Sequence, residues 1–407
     1  MVFFCHPNTV RRPILPLPGK VLELHENRTK FVGQRKYMQQ PSIDIKRKRP
    51  LIISGPCSAE TREQLLDTAV RLANTGTTDL IRAGIWKPRT KPGMFEGLGE
   101  KALPWLMEAK ALTGLPVAIE VATAKHVEQA LHYGVDVLWI GARTTVNPFS
   151  VQEIAEALAG THQPVFVKNP IHPDLELWSG AIERLQKLNI QQIGIIHRGF
   201  AAYGNTVYRN APMWHLPIEM KRRFPNLPIL CDPSHICGNR SLLEAVAQKS
   251  INLDFDGLML ETHIQPDQAW SDAKQQITPE DFATLLSHLI WRSDHSEAPE
   301  YVSALATLRA QINQIDDELL QLLGQRMKLA NKIGTCKKEN NITILQTNRW
   351  SEILEYALQK GKKLGLGETF IRKYLDAVHL ESINHQNKIM SHPLDEKNIN
   401  LNPASEK

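Results

Sequence analysis

No stretch of this sequence stays apolar for the roughly 20 residues that a membrane-spanning helix needs. The opening residues, "MVFFCHPNTVRRPILPLPG", lack the continuous apolar core of a secretory signal. Cysteine is scarce: there are five in 407 residues, an odd number, widely scattered. That excludes a disulfide framework and points to a reduced, cytoplasmic protein. Nothing globular is expected before residue 50.

Charge is unevenly spread. The net charge is +5, but residues 1–50 hold eleven Lys/Arg against three Asp/Glu, a balance of +8 that leaves −3 for the remaining 357. The basic character belongs to a Pro-rich tail, residues 1–49, ending in "KRKR" and expected to be disordered in part. A second reading of this tail is an over-long start, with translation beginning at Met38. Neither nucleic acid nor membrane is an expected partner.

From Leu51 onward eight short apolar, β-rich runs alternate with helical stretches: "LIISGP", "DLIRAG", "VAIEVA", "VLWIGA", "VFVKN", "QIGIIHRG", "ILCDPSH" and "GLMLETH". Strands without polar alternation are buried on both faces, as in parallel sheets. Eight strand–helix units over residues 50–290 fit a (β/α)8 TIM barrel within an α/β fold. Each run ends in reactive or ionic chemistry: Cys57, Arg82, Glu120, Arg143, Lys168, Arg198, His235 and Glu261. In a barrel those ends share one face, where active sites lie.

Two sets of side chains are expected there. Arg82, Lys87, Arg89, Arg143, Lys168 and Arg198 crowd cations onto one face, which suits small phosphorylated and carboxylated substrates. The competing reading makes each a structural salt bridge. Cys57, His235, Glu261 and Asp272 combine a thiolate, an imidazole and two carboxylates from strands that adjoin in a closed barrel. That mixture suits a divalent cation such as Mn, Fe, Co or Zn. Cys231 and Cys237 are rival thiols.

After a connection at residues 291–301 the pattern becomes purely helical over 302–390, followed by a polar tail at 391–407. Apolar residues at 305, 308, 312, 315, 319, 322, 329, 333 and 336 keep an alternating three-and-four spacing, interrupted at Arg326. A helix over 302–337, about 50 Å long, is too long to bury that seam within its own small domain. A homodimer through the helical domain is the simplest remedy. Arg309, Arg326, Lys337 and Arg349 punctuate this region, and a cation in an apolar seam needs a partner. A dianionic ligand inside the bundle explains the set.

"GPCSAE", "RAGIWKPRT", "WIGARTT", "VKNP", "HRGF", "DPSH" and "ETH", in that order, resemble the type I 3-deoxy-D-arabino-heptulosonate 7-phosphate (DAHP) synthases, in the short form without an N-terminal regulatory domain. That family joins phosphoenolpyruvate to erythrose 4-phosphate at the entry to the shikimate pathway. The resemblance implies that Arg82, Lys87, Arg143, Lys168 and Arg198 bind phosphoenolpyruvate, that Arg89 and Thr90 hold erythrose 4-phosphate, and that Cys57, His235, Glu261 and Asp272 are metal ligands. Lys87, Glu120 and His235 are the candidates for moving protons.

Residues 303–390, through "LRAQINQIDDELLQLLGQRMKLANKIGTCKK", Arg349 and "ESINHQ", resemble the all-helical chorismate mutases. By that resemblance Arg309, Arg326 and Arg349 bind the substrate carboxylates, Arg309 from the partner subunit. Lys337 and Gln386 face the ether oxygen, and Ser382 supports the site. Trp350 and Gln346 stand where the family pattern has acids. Two other readings are a helical domain that only senses chorismate or prephenate, and a sister synthase that uses a five-carbon sugar phosphate.

Overall fold

The computed structural model describes residues 44–45, 50–89, 92–204, 207–293 and 295–391. Most of the basic N-terminal tail, Thr90, and all but the first residue of the polar C-terminal tail lie outside them. The chain divides into two compact units, residues 1–294 and 295–407.

In the first unit eight parallel strands close on themselves in sequence order. They are β1 (Leu51–Gly55), β2 (Leu80–Ala83), β3 (Val117–Val121), β4 (Val137–Ile140), β5 (Val165–Lys168), β6 (Ile193–His197), β7 (Ile229–Cys231) and β8 (Gly257–Glu261). Closure comes from β1 pairing with β8, Leu51 opposite Gly257 through Gly55 opposite Glu261. Nearly every strand residue is buried because alternate side chains meet two different cores. Leu51, Ile53, Leu80, Ala118, Val137, Trp139, Phe166, Ile196, Leu230 and Met259 fill the barrel interior. Ile52, Ile81, Ile119, Leu138, Val167, Ile195 and Leu258 face the surrounding helices. Ile45, from the segment expected to be a tail, is 2% exposed and joins the interior cluster.

The helices start where the sequence offers caps. Thr61, Thr123, Asp174 and Thr278 each accept a backbone N–H with the side chain at a helix N-terminus. Gly76, Gly114 and Gly134 end helices in the left-handed conformation.

The second unit holds three helices, Pro299–Glu339, Thr347–Lys363 and Glu368–Ser391. The first has 41 residues, a rod of about 60 Å, and starts three residues before the expected position. Within the chain it packs mainly on the third helix, through a narrow face where only Ala330 and Gly334 are buried. The large apolar residues of the seam, including Leu308, Ile312, Ile315, Leu319, Leu322, Leu329 and Ile333, are exposed.

Candidate functional site

At the C-terminal end of the barrel, Gly55 sets the first part of the site. Its φ is +148°, and a Cβ there would lie 2.0 Å from the Arg82 carbonyl oxygen. Only glycine lets β1 end against β2 this closely. The chain then delivers Cys57, whose N–H is held by Gln276 Oε1 at 2.9 Å. The Cys57 carbonyl accepts from Arg82 Nη2 at 3.2 Å and from Lys87 Nζ at 2.8 Å.

The loop after β2 carries Lys87 and Arg89 and is braced on itself. Lys87 N donates to the Glu96 carbonyl and Gly99 N to the Ile85 carbonyl. Arg89 Nε donates to the Phe95 carbonyl at 2.9 Å. Trp86 stacks on His126 at 4.0 Å, and Phe95 meets Trp270 of the β8 loop edge-on. The cations of this loop are therefore presented in fixed positions.

Three further cations are buried. Arg82 (2% exposed) pairs with Glu261 at 2.9 Å, and Lys168 (4%) pairs with Asp232 at 2.8 Å. The salt-bridge reading thus holds for these two in the isolated chain. Arg198 (8%) donates through Nη1 to the Gly199 carbonyl at 3.2 Å. Its backbone N–H is held by Asn169 Oδ1. Burial, aided by Arg209 and Arg143 and opposed by Asp232, lowers the Arg198 guanidinium to about 10. Arg143 lies in the short helix Ala142–Thr145 just past β4. A depressed arginine among cations marks a place that favours an anion.

The thiol, imidazole and carboxylates gather on the same face. Asp232 caps the helix Pro233–Cys237 by accepting His235 N at 3.1 Å, with Pro233 at its first turn. The same carboxylate lies 2.8 Å from His235 Nδ1, which directs Nε2 towards Glu261 Oε1 at 3.7 Å. Burial keeps the His235 pKa below its ordinary value although Asp232 and Glu261 oppose it. Cys57 Sγ lies 3.2 Å from Asp272 Oδ2. Burial, with Glu261 adding to it, pushes the Cys57 thiol up to about 12. Burial would raise Glu261 as well, but His235, Arg82 and Lys87 hold it down at about 2. For Asp272 burial again acts upward, and Arg209, His235 and Lys87 hold its pKa well below the usual carboxylate value.

These four side chains stand as two pairs rather than as one cage. Among the described residues no three His, Cys, Asp or Glu are grouped closely enough to hold an ion as they stand. The reason is charge. Lys87 Nζ lies 2.7 Å from Cys57 Sγ, Arg82 and Gln275 hold the two oxygens of Glu261, and Arg209 and Arg89 hold Asp272. The donor chemistry fits a divalent cation nonetheless. There are two ionised carboxylates, an imidazole oriented through Nδ1 by a carboxylate, and a thiol of the kind a bound metal deprotonates. Cys231 and Cys237 are buried in the outer core, so Cys57 is the thiol that reaches this face.

Sequence reasoning missed Asp232, Arg209 and Gln275. Asp232 was visible within "DPSH", where its N-cap position next to a proline was the available signal. Arg209 and Gln275 lie in loops and carry no local pattern.

In the helical unit, Arg326, Ser382 and Gln386 come together from two helices, with Lys337 farther along the first. Arg326 Nη1 donates to Ser382 Oγ. Gln386 Nε2 donates to the Ser382 carbonyl at 3.3 Å, and Gln386 Oε1 is buried without a partner among the described residues. Lys337 Nζ reaches the Ile344 carbonyl. Trp350 stacks on His379 at 4.1 Å. Burial lowers the His379 pKa, with Arg326 and Lys337 contributing in the same direction. Arg349 is exposed and pairs with Glu352. Arg309 is set apart: it lies 17 residues before Arg326 on one helix, about 25 Å along the axis.

Residues 37–297 match the model of the DAHP synthetase I family, and residues 308–387 match chorismate mutase type II. The chain is 32% identical over 238 residues to a phospho-2-dehydro-3-deoxyheptonate aldolase of Thermotoga maritima, covering 58% of this chain and 68% of that protein. It is 28% identical to a 2-dehydro-3-deoxyphosphooctonate aldolase of Rhodopseudomonas palustris, covering 59% and 86%. Among solved structures, the Thermotoga maritima DAHP synthase aligns with a TM-score of 0.52 at 30% identity, covering 59% of this chain and 67% of that one. A truncated form of the Thermotoga maritima synthase aligns with the same score at 28% identity, covering 60% and 88%. The family is generally metal-dependent, and both matched families act on small molecules. The chain belongs to the DAHP synthetase I family, with a chorismate mutase type II domain following the barrel in sequence.

Proposed function

We propose that the barrel condenses phosphoenolpyruvate with erythrose 4-phosphate and water, giving 3-deoxy-D-arabino-heptulosonate 7-phosphate and phosphate, and that the helical domain converts chorismate to prephenate. One observation carries the first half: buried cations on β2, on β5 and just past β6, namely Arg82, Lys168 and Arg198, share an end of the barrel with Cys57, His235, Glu261 and Asp272.

Arg82, Lys87, Arg143, Lys168 and Arg198 bind the enol phosphate, and Arg89 with Thr90 holds the sugar phosphate. Their charge offsets the repulsion between two anions and aligns C3 of the enol with the aldehyde carbon. The C3–C1 bond forms, water adds at C2 as positive charge develops there, and phosphate leaves with cleavage of its bond to C2. Cys57, His235, Glu261 and Asp272 would hold a divalent cation of the Mn, Fe, Co or Zn kind, which when bound supplies Lewis-acid polarisation of the aldehyde oxygen. Asp232 keeps the proton on His235 Nδ1. Glu120 and Lys87 are the remaining groups placed to move protons.

In the helical domain Arg326 and Arg349 bind the substrate carboxylates. Lys337 and Gln386 stabilise charge on the ether oxygen as chorismate folds and rearranges. Arg309 joins the site from a second copy. Its distance from Arg326, and the exposed seam from Leu308 to Ile333, support a homodimer built on this domain. Free thiols at Cys57, Cys231, Cys237 and Cys336 suit a reducing cytoplasm.

The test is direct. Purified protein loaded with defined metals is assayed for phosphate release with phosphoenolpyruvate and either erythrose 4-phosphate or arabinose 5-phosphate, and separately for chorismate loss. Preference for the five-carbon sugar would overturn the first half, and unchanged chorismate the second.

A further inference from the structure

Trp139 has no role in the site assigned above, yet it meets three side chains that do. It lies on β4 with 1% exposure. The two-residue period of the strand turns it into the barrel with Val137, while Leu138 and Ile140 face the helices. On β3 its register partner is Glu120. The indole Nε1–H donates to Glu120 Oε2 at 3.1 Å. The Arg82 guanidinium, from β2, stands 5.0 Å from the ring centroid, and the Lys168 ammonium, from β5, stands 5.6 Å from it.

One ring therefore serves groups from three other strands. Among the described residues Arg82 and Lys168 each pair with one carboxylate, Glu261 and Asp232. Each cation stays on its carboxylate, Arg82 also donating to the Cys57 carbonyl, while its other side faces the ring. The electron-rich indole face adds an attraction that draws both cations towards the barrel interior, and it is strongest where water is excluded. Glu120 is gripped from two sides. Its other oxygen, Oε1, is pressed against Gly141, where an added Cβ would lie 2.0 Å from it. Gly141 leads within two residues to Arg143.

We propose that Trp139 is a positioning residue of the synthase site, its ring face holding Arg82 and Lys168 apart for the anionic enol phosphate and its N–H orienting Glu120. This rests on the reading of the barrel as a phosphoenolpyruvate site. The two parts of the indole separate in experiment. Removing the ring weakens phosphoenolpyruvate binding. Removing only the N–H leaves binding and slows turnover.

The experiment uses the full-length, metal-loaded protein, with calorimetric binding of phosphoenolpyruvate and steady-state kinetics for both substrates. Chorismate turnover and the thermal midpoint of the barrel report folding. Trp139→Leu is expected to raise the phosphoenolpyruvate Kd about tenfold while the KM for erythrose 4-phosphate stays within about twofold. Trp139→Phe is expected to keep that Kd within about threefold and to lower kcat about tenfold. In a Glu120→Ala background, Trp139→Phe should add no further loss, since the acceptor of the indole N–H is already gone. Trp139→Leu protein with unchanged Kd overturns the ring's role. Trp139→Phe protein with unchanged kcat, or with the same loss in both backgrounds, overturns the role of the N–H. Equal losses for both substrates with a lowered midpoint also overturn the proposal, because they mark plain packing. If Trp139→Leu does not fold, the Trp139→Phe cycle decides. Lys168→Ala with normal phosphoenolpyruvate binding would instead defeat the substrate reading itself.

Discussion

Lys87 Nζ stands 2.7 Å from Cys57 Sγ, so an ammonium from the loop after β2 faces the thiol at the end of β1. The contact joins the two sets of side chains on this face, the cations and the prospective metal ligands. A thiol that burial pushes up to about 12 stays protonated beside that ammonium. As a ligand to a divalent cation Cys57 would serve as the thiolate.

Chelation is therefore expected to abolish sugar-phosphate synthesis and leave chorismate rearrangement intact, because the proposed ligands all belong to the barrel. Cys57→Ala should lose bound metal, measured by elemental analysis after dialysis, together with synthase activity. Full activity and full metal content in Cys57→Ala protein would remove this thiol from the site.

The cations should divide between the two substrates. Arg143→Ala and Lys168→Ala are expected to weaken phosphoenolpyruvate binding and turnover by about 2–3 kcal/mol, the range for hydrogen bonds to charged groups. Arg89→Ala should act chiefly on erythrose 4-phosphate. Separate titrations of each substrate at saturating levels of the other check this. An Arg89→Ala effect confined to phosphoenolpyruvate would show the loop to be divided differently.

His197 should make the barrel acid-sensitive. It lies outside the site, enclosed by Trp178, Phe200, Trp214 and Phe255. Neither ring nitrogen completes a hydrogen bond among the described residues. Burial lowers its pKa to about 3, against an upward pull from the Pro212 carbonyl and Asp232. Above pH 6.5 both folded and unfolded states are neutral there. As pH falls below 6.5 the unfolded chain gains a proton that the folded barrel refuses, so stability falls until pH nears 3. At pH 5 the loss from this residue is about 2 kcal/mol relative to pH 7.5. Denaturant unfolding at the two pH values should show a smaller drop for His197→Phe than for the parent. Equal drops would show that His197 does not set the slope.

The helical domain should also govern the barrel. Its proposed ligands, chorismate and prephenate, lie downstream of the synthase product. Prephenate or chorismate is expected to inhibit the synthase in the intact chain. Inhibition should vanish in a chain cut near Asp294 and in Arg326→Ala. Reciprocity requires that synthase substrates change prephenate affinity by the same factor. A cut chain that stays active and equally inhibited would exclude the helical domain as the sensor.

The Trp350–His379 stack bears on the mutase half. Trp350 stands where the family pattern has an acid, and its ring lies on an imidazole close to Arg326 and Lys337. Trp350→Glu is expected to raise chorismate turnover if a missing acid limits the rate, measured as kcat at fixed enzyme concentration. No gain would show that the stacked pair already serves the site.

The sequence by itself determined the barrel, because eight apolar runs of strand length leave few ways to bury both faces. It also determined which end carries chemistry, because parallel strands bring all their C-terminal residues to one rim. The long helix was legible from its three-and-four spacing, although the face it buries within the chain, at Ala330 and Gly334, was not the seam that spacing marks. Only the tertiary structure decided how the rim residues meet. Asp232 serves Lys168 and His235 at once, Arg209 crosses from the β6 loop to Asp272, and Trp139 lies against Arg82, Lys168 and Glu120. Local periodicity records whether a residue is buried and where a strand stops. Which side chains face one another inside the barrel depends on the register between strands far apart in sequence and on the paths of the loops, and neither leaves a local pattern.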